Sequence, residues 1–289
     1  MGSNHPHLGS TRSEYVLGTN PAELARLGLQ HRLWSDSAHT LWRRAGVQPG
    51  SHVLDLGCGP GFATADLLQI VASDAPGAPR GSVVAVDESQ PYLDHVRSLS
   101  NDRGLVPAIT IRADLNQPGS LAPLRGRDLD AAYARWVFCF VSNPQAVAEG
   151  VRDALRPGGR LVVQDYFDYE AMTVAPRYES FTKAVIATGK SWRLRGGDPD
   201  IMGRLPMMLE RFGFRVTHLE AHQRLARPHE PMWHWPQTFW HNFLPVLVQL
   251  GLLTEADREQ WLRDWAELSR TPGAFAKLPP LFDLIAEKE

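Results

Sequence analysis

Cysteine is almost missing from this sequence, which contains only Cys58 and Cys139 among 289 residues. Neither belongs to a CxxC pair or a Cys/His cluster, so no disulfide framework or structural zinc site is indicated. Long apolar runs are missing as well, because no segment reaches the roughly 18 uninterrupted apolar residues of a membrane span. Residues 1–11 are polar and lack the apolar centre of a signal peptide. These absences predict a reduced, cytoplasmic protein.

The sequence also lacks an excess of charge of either sign. Its formal net charge is −2 at pH 7, which provides no general attraction for nucleic acid or for a membrane surface. The composition therefore favours a small-molecule partner. The sequence leaves open whether the chain is a monomer or a homodimer.

Apolar runs that alternate with amphipathic stretches dominate the rest of the chain. This alternation is typical of parallel strands joined by crossover helices. We expect an α/β, Rossmann-like, doubly wound and mostly parallel seven-stranded sheet, with N-terminal helices and a helical lid insertion before the last strand. The predicted strands are residues 53–56, 83–86, 109–112, 129–133, 161–164, 214–219 and 281–286.

Further signals predict how the chain is divided. After a flexible N-terminus at residues 1–14, residues 15–289 are expected to form one domain. Within it, residues 15–50 provide leading helices with Asn20 as a helix cap, residues 51–170 the cofactor-binding core, and residues 171–289 the substrate and lid region with the last two strands. Helices are predicted at residues 205–212 and within 228–268, and Gly158 with Gly159 is expected to stop the helix over 147–155.

The segment VLDLGCGPG at residues 53–61 is a buried strand that ends in a glycine-rich turn and opens a helix. Such a turn presents free backbone N–H groups and lets a ligand lie against the chain. The G-x-G-x-G spacing of Gly57, Gly59 and Gly61 differs from the G-x-G-x-x-G of dinucleotide sites. Asp55, two residues before the turn, would repel a pyrophosphate but suits an ammonium group.

Two further strand ends add polar groups in the same order. Asp87, followed by Glu88, ends the second strand, where a doubly wound fold directs a carboxylate at a ribose. Asp114 follows the third strand, where it is suited to an adenine amino group, and Leu115 is suited to the face of the ring. The three strand ends thus match amine, ribose and base.

In these motifs the chain resembles the class I S-adenosylmethionine-dependent methyltransferases of the small-molecule type, from about residue 15 to the C-terminus. The resemblance implies S-adenosylmethionine as cofactor. It places Asp55, Gly57, Cys58, Gly59 and Gly61 at the methionine moiety, Asp87 and Glu88 at the ribose, Asp114 and Leu115 at the adenine, and Arg135 beside the methionine portion. It also makes Tyr15 a candidate to lie over the cofactor methyl, with a plain packing role as the alternative.

Two motifs of other methyltransferase classes are missing from this sequence. The end of the fourth strand reads Tyr-Ala-Arg-Trp at residues 133–136 and lacks the carboxylate cluster with which catechol-type enzymes hold a divalent cation. We therefore predict no metal. The Asp/Asn-Pro-Pro-Tyr/Phe motif of amino-methylating DNA enzymes is missing at the same place, which argues against a nucleic-acid substrate.

The aromatic-rich segment at residues 232–243 is the candidate lid over the substrate. Its side chains Trp235, Phe239 and Trp240 are candidates to stack on a planar substrate. His234 and His241 lie seven residues apart and are candidate general bases, although Pro236 makes a continuous helix between them doubtful. Packing in the core is the alternative for all of them. The end of the fifth strand adds Tyr166 and Phe167 as substrate-binding candidates.

The function predicted from the sequence is metal-independent methyl transfer to an O, N or C atom of a small-molecule metabolite, including aromatic or natural-product-like compounds, by in-line displacement. Two alternatives remain: a non-catalytic methyltransferase-like scaffold that binds the cofactor, and an NAD-type oxidoreductase on the same fold.

Overall fold

Helices and strands alternate along the computed structural model, which describes residues 21–72 and 80–289. Over these residues the α-helices are α1 (Pro21–Arg44), α2 (Phe62–Val71), α3 (Gln90–Asp102), α4 (Pro144–Ala154), α5 (Glu179–Leu194), α6 (Leu205–Arg211), α7 (His234–Gln249) and α8 (Glu255–Leu268). The strands are β1 (His52–Leu56), β2 (Ser82–Asp87), β3 (Ile109–Arg112), β4 (Leu129–Arg135), β5 (Leu155–Tyr166), β6 (Thr173–Ala175), β7 (Phe214–His222), β8 (Leu225–Ala226), β9 (Phe275–Lys277) and β10 (Leu281–Lys288).

Seven of these strands form one sheet in the order β3-β2-β1-β4-β5-β10-β7. Strands β1 to β5 run parallel to one another, whereas β10 is antiparallel to both β5 and β7. The strand order reverses between β1 and β4: β2 and β3 extend the sheet on one side of this point, and β5 extends it on the other. Open α/β sheets bind ligands at such a point. The predicted fold class is confirmed.

The central strands are apolar because helices cover both faces of the sheet. Successive residues of β1 point into different clusters: Val53 packs with Trp42 on one face, and Leu54 and Leu56 pack with Trp34 on the other. All five side chains are almost completely buried. Burial of an aliphatic side chain of this size contributes about 1.5–3 kcal/mol, so the strand is fixed by the two cores together.

The region before the sheet contains one long helix, α1, over its described part. Several leading helices were predicted, but no proline interrupts the helix after Pro21, and Gly28 is tolerated because it packs against Phe62. Asn20 and the predicted flexible N-terminus lie outside the described residues.

The predicted helix stop at Gly158 and Gly159 is wrong. Helix α4 ends at Ala154, and the next residue, Leu155, already has extended backbone angles and begins β5. The two glycines serve the irregular start of that strand. Gly158 has a φ of 73°, and a Cβ on Gly159 would lie 2.8 Å from the carbonyl oxygen of Arg156.

The helical insertion before the last strand is present as α7 and α8, which lie between β8 and β9. Helix α7 is continuous through Pro236, because a proline in the first turn loses no intrahelical hydrogen bond. The insertion begins and ends beside a small antiparallel sheet, β6-β9-β8, whose strands of two or three residues gave no signal in the sequence. Within residues 21–72 and 80–289, no helix has both the length and the apolar character needed to cross a bilayer.

Candidate functional site

A cavity of about 230 Å³ lies at the carboxyl ends of the parallel strands. Helix α1, the segments after β1 to β5, and helices α5 and α7 form its wall. The structure brings most of the predicted cofactor residues together there: Asp55, Gly57, Cys58, Gly59, Asp87, Glu88, Asp114, Leu115 and Arg135. The cavity has a polar end beside β1 and β2 and an aromatic end beside α5 and α7.

The glycine turn after β1 uses its three glycines for different reasons. All three have a positive φ, 63° at Gly57, 53° at Gly59 and 85° at Gly61, which favours glycine. A Cβ on Gly57 would lie 2.6 Å from Val137, and one on Gly61 would lie 2.5 Å from Val96. A Cβ on Gly59 would meet nothing within 4 Å. Gly59 therefore leaves ligand space, whereas Gly61 serves the packing of α2 against α3 and does not line the cavity.

Asp55 is an almost completely buried carboxylic acid at the polar end, with 3% of its surface exposed. Its Oδ2 accepts a hydrogen bond of 2.6 Å from the Thr64 hydroxyl on α2. Burial raises the pKa of Asp55 to about 6, and the Thr64 hydrogen bond and the nearby Arg135 oppose that rise. A buried carboxylate with so little compensation is suited to pair with an incoming cation.

Asp87 shapes the turn from the end of β2. Its Oδ2 accepts from the backbone N–H of Gly59 at 2.8 Å, and its Oδ1 accepts from the N–H of Ser89 at 2.9 Å. Burial raises its pKa. Each carboxylate oxygen retains a second lone pair, so Asp87 can still receive two hydroxyl donors. Burial also raises the pKa of the neighbouring Glu88.

Asp114 and Leu115 border the polar end after β3. Asp114 accepts from the backbone N–H of Asn116 at 2.9 Å and from the Gln117 amide at 3.2 Å. These bonds fix the turn and leave acceptor capacity on both oxygens.

Arg135, the last residue of β4, extends into the polar end toward α1. Its Nη2 lies 3.0 Å from Nδ1 of His31, and its guanidinium carbon lies 5.1 Å from the centre of the Trp136 ring. Its Nη1 is buried and has no acceptor among the described residues. Together with Asp55, it gives this end one uncompensated acid and one unused cationic donor, which fit the two charges of a zwitterion.

Cys58 borders the same end but is not a nucleophile. Burial and the nearby carboxylates of Asp55 and Asp87 raise the pKa of its thiol, so it stays protonated near neutral pH. Nor do the described residues contain a group of three or more His, Cys, Asp or Glu side chains that could hold a metal ion.

Aromatic rings form the other end of the cavity. Trp136 stacks on Trp235 with ring centres 6.0 Å apart and on Tyr166 at 6.1 Å. Tyr166 in turn stacks on Trp192 at 6.0 Å, and Tyr169 lies 4.8 Å from the same indole. Trp136 holds its position through a backbone φ of 53°, an uncommon value for a bulky residue that often marks a functional site.

Three of the predicted substrate residues, Tyr166, Trp235 and Phe239, line this aromatic end. The other two do not. Trp240 is completely buried and packs on Phe181 and Trp261 in the core of α5, α7 and α8. Phe167 is 42% exposed, because successive strand residues point in opposite directions and Tyr166 takes the inward position.

The candidate bases are not brought to the cavity. His234 and His241 are both exposed and lie outside the residues that line it. His241 is 2.7 Å from the carbonyl oxygen of Gln237, and its ring packs edge-on against Trp261. The seven-residue spacing places both histidines on the solvent face of α7. The candidate Tyr15 lies outside the described residues.

Several residues of the wall were missed in the sequence. Helix α1 contributes Arg26, Leu27, Gln30 and His31, and the spacings of three and four residues among them are the sequence signal that they share a face. Trp192 comes from the last turn of α5 and was not among the predicted ligand contacts. The position of both helices over the sheet is set by tertiary packing, so their inward faces could not be assigned.

A comparison with protein families finds that residues 54–163 match the methyltransferase domain family. Among curated proteins, an uncharacterized 37.1 kDa protein in transposon TN4556 of Streptomyces fradiae is 35% identical over 129 residues, which cover 44% of this chain and 33% of that protein. The trans-aconitate 2-methyltransferase of Paracidovorax citrulli is 33% identical over 127 residues, covering 44% and 43%. The chain thus spans less than half the length of these two relatives.

Solved structures share the fold at low sequence identity. A Bacillus halodurans protein proposed to be a methyltransferase has a TM-score of 0.56 and 16% identity, covering 86% of this chain and 97% of that one. An S-adenosylmethionine-dependent methyltransferase from Aquifex aeolicus has a TM-score of 0.50 and 20% identity, covering 70% and 92%. The [4+2]-cyclase SpnF, with a TM-score of 0.53 and 17% identity over 86% and 79%, has the same fold. The fold alone therefore does not define the reaction.

Proposed function

We propose that the protein, whose residues 54–163 match the methyltransferase domain family, uses S-adenosylmethionine to transfer a methyl group to an oxygen, nitrogen or carbon atom of a planar, largely apolar small molecule. The transfer needs no metal ion. The observation that carries this proposal is the division of one cavity into a charged end and an aromatic end.

The charged end is suited to the methionine part of the cofactor. In our proposal the ammonium group pairs with Asp55, which is buried and forms no direct ion pair among the described residues, and the carboxylate pairs with the unused Nη1 of Arg135. Hydrogen bonds of this charge-assisted kind are about twice as strong as neutral ones. The ribose hydroxyls donate to Asp87, and the adenine lies against Leu115 with its amino group at Asp114.

The aromatic end is suited to a flat acceptor. Trp136, Trp235, Tyr166 and Trp192 form a nearly continuous series of stacked rings, which favours a planar molecule between or against them. S-adenosylmethionine, when bound, supplies an electrophilic methyl group on a sulfonium. These walls exclude water from it and hold the acceptor in line, which can provide most of the rate enhancement of such a displacement.

Two tyrosines give this end its polar character. Burial raises the pKa of Tyr166 and of Tyr169 far above the ordinary range, so both hydroxyls stay protonated and donate hydrogen bonds. Helix α1 adds Gln30, which accepts from the Trp235 indole N–H, and Arg26, whose charge acts on Tyr166; neither side chain is a base. We therefore favour an acceptor that is nucleophilic without a strong base, such as an amine, or a phenol or enol whose oxygen receives a tyrosine hydrogen bond.

We also propose that residues 51–170 provide the cofactor-binding core of one domain and residues 171–289 most of the cover over the substrate. The contributions of Trp192, Trp235 and Phe239 to the wall support this division. Trp136 is an exception, because it belongs to the core segment and borders both ends.

Calorimetry and product analysis test the proposal. We expect the protein to bind S-adenosylmethionine and not NAD, and to transfer a labelled methyl group from the cofactor to planar compounds in a metabolite mixture, as detected by mass spectrometry. Binding of the cofactor without any labelled product would favour the non-catalytic scaffold. Binding of NAD in place of S-adenosylmethionine would sink the cofactor assignment.

A matched pair of variants tests the aromatic end. Tyr169→Phe removes one hydroxyl and should lower kcat/KM for an oxygen-containing substrate by about tenfold, since one hydrogen bond to a charged or developing charge is lost. Phe167→Leu changes the exposed neighbour of Tyr166 and should leave kcat/KM unchanged. Equal effects of the two variants would contradict the assigned wall.

A further inference from the structure

We propose that Asp66, His31 and Arg135 form a positioning relay that aims the guanidinium of Arg135 at the carboxylate of the bound cofactor. The inference rests on the cofactor assignment and adds His31 and Asp66, which were not among the predicted site residues. Asp66 lies on α2, His31 on α1 and Arg135 at the end of β4, so the relay also joins the leading helix to the sheet.

The direction of each hydrogen bond in the relay follows from chemistry. A guanidinium has only donors, so at the 3.0 Å contact with Arg135 the Nδ1 atom of His31 must accept. In a neutral ring the proton then resides on Nε2, which lies 2.9 Å from Oδ2 of Asp66 and donates to it. The imidazole thus passes the orienting effect of a carboxylate on to the arginine.

The surroundings keep the ring in that form. His31 is 7% exposed and stacks on Phe62 with ring centres 6.0 Å apart. Burial lowers its pKa, and Arg135 and His39 lower it further, while the hydrogen bond to Asp66 opposes them. The ring is therefore neutral near pH 7 and able to accept.

Two side chains outside the relay, one titratable and one charged, contact Asp66. His39 on α1 contacts the same oxygen of Asp66 at 2.9 Å, and Arg103 at the end of α3 lies 3.5 Å from the other oxygen. The histidine contacts lower the pKa of Asp66, so its carboxylate remains ionised through the range in which His31 titrates. On the cavity side, Arg135 interacts with the carboxyl group of Asp55.

The relay leaves one part of Arg135 available. Nη2 is used by His31, while Nη1 is buried without an acceptor among the described residues. A fixed guanidinium plane presents Nη1 in one direction, and a carboxylate arriving there completes its hydrogen bonding. A flexible arginine would have to be ordered on binding, which weakens affinity.

Protonation of His31 should disable the relay. A charged imidazole has two donors and cannot accept from Arg135, and two adjacent cations repel each other. Because burial lowers the pKa of His31, affinity for the cofactor should fall only at a pH below 6.5, the ordinary pKa of histidine.

Two variants and two ligands test the relay by calorimetry. His31→Leu removes the acceptor and should weaken S-adenosylmethionine binding about tenfold or more, the effect of losing a hydrogen bond to a charged group. 5′-Methylthioadenosine, which has the same nucleoside but no amino-acid end, should bind as it does to the wild type. His31→Gln retains an acceptor and a donor without titrating, so it should restore affinity at pH 7.5. Between pH 7.5 and 5.5 this variant should lose less affinity than the wild type. Only Asp55 titrates in the variant, whereas both Asp55 and His31 titrate in the wild type.

The outcomes separate the relay from simpler roles. If His31→Leu weakens both ligands alike, His31 only shapes the cavity, and if it weakens neither, the relay is overturned. A wild type that does not bind S-adenosylmethionine contradicts the cofactor assignment itself. Should the leucine variant not fold, the nitrogen chemical shifts of His31 in the wild type decide, since the relay requires an unprotonated Nδ1 at neutral pH.

Discussion

At the scale of single residues, the buried acid Asp55 connects cofactor affinity to stability. Its pKa of about 6 lies above the ordinary 3.8, so the folded protein holds this proton more tightly than the unfolded chain. The resulting stabilisation is complete below about pH 4 and is lost as the pH rises past 6. Ionised Asp55 thus destabilises the cofactor-free protein by up to about 3 kcal/mol.

Asp55→Asn should therefore have opposite effects on stability and binding. The amide imitates the protonated acid, so the cofactor-free variant should be more stable than the wild type at pH 8 and equally stable near pH 4, as measured by urea denaturation. Its affinity for S-adenosylmethionine should fall at least tenfold, because a buried charge partner is lost. An unchanged dissociation constant would refute the proposed contact with the ammonium group.

The glycines of the turn provide a second prediction at this scale. Gly57→Ala and Gly59→Ala both place an alanine at positive φ, at a cost of about 1–2 kcal/mol. Only the alanine at 57 would also collide with Val137. Thermal denaturation should show Gly57→Ala as the less stable variant, while calorimetry should show that Gly59→Ala still weakens cofactor binding, since its methyl group occupies ligand space. An unchanged affinity of Gly59→Ala for the cofactor would contradict the assigned position of the cofactor.

At the scale of secondary-structure elements, helix α7 has three faces with different duties. Trp235 faces the cavity and donates from its indole N–H to Gln30 of α1 at 2.8 Å, whereas Trp240 is buried among α5 and α8. His234 and His241 occupy the solvent face. One helix thus closes the cavity, anchors the insertion and presents polar groups to water.

Substitutions on the buried face and on the solvent face of α7 should differ in their effects on stability and kcat. Trp240→Ala should destabilise the protein by about 3–5 kcal/mol, the usual cost of deleting a buried aromatic ring, as measured by denaturant unfolding. His234→Ala and His241→Ala should leave both stability and kcat nearly unchanged. If either histidine variant folds normally but loses much of its kcat, that histidine is again a candidate general base.

At the scale of the whole molecule, α1 and the glycine turn line the same cavity, so a cofactor bound there as we propose should stabilise the fold as a unit. Mass action predicts about 2.7 kcal/mol at a concentration one hundred times the dissociation constant. For a chain of this size that corresponds to an increase in Tm of about 5 °C or more. Differential scanning calorimetry should show this increase with S-adenosylmethionine and none with NAD, and the reverse pattern would contradict the cofactor assignment.

The sequence by itself determined the sheet and the polar end of the cavity. Buried parallel strands are recognisable as continuous apolar runs. Polar side chains that follow such strands meet at one edge of the sheet, however the helices pack on its faces. The sequence therefore assigns Asp55, Asp87 and Asp114 to one place, and all three line the cavity. Their positions depend on local chain geometry and on strand order alone.

Only the tertiary structure decided which helix faces the cavity. Helical periodicity identifies residues that share a face, but not which face packs inward when a helix is apolar on more than one side. Trp235 and Trp240 look alike in the sequence, yet one lines the cavity and the other lies in the core. The contact between His31 and Arg135 joins residues 104 positions apart. Such a pairing depends on how α1 packs over the sheet, which no local pattern specifies.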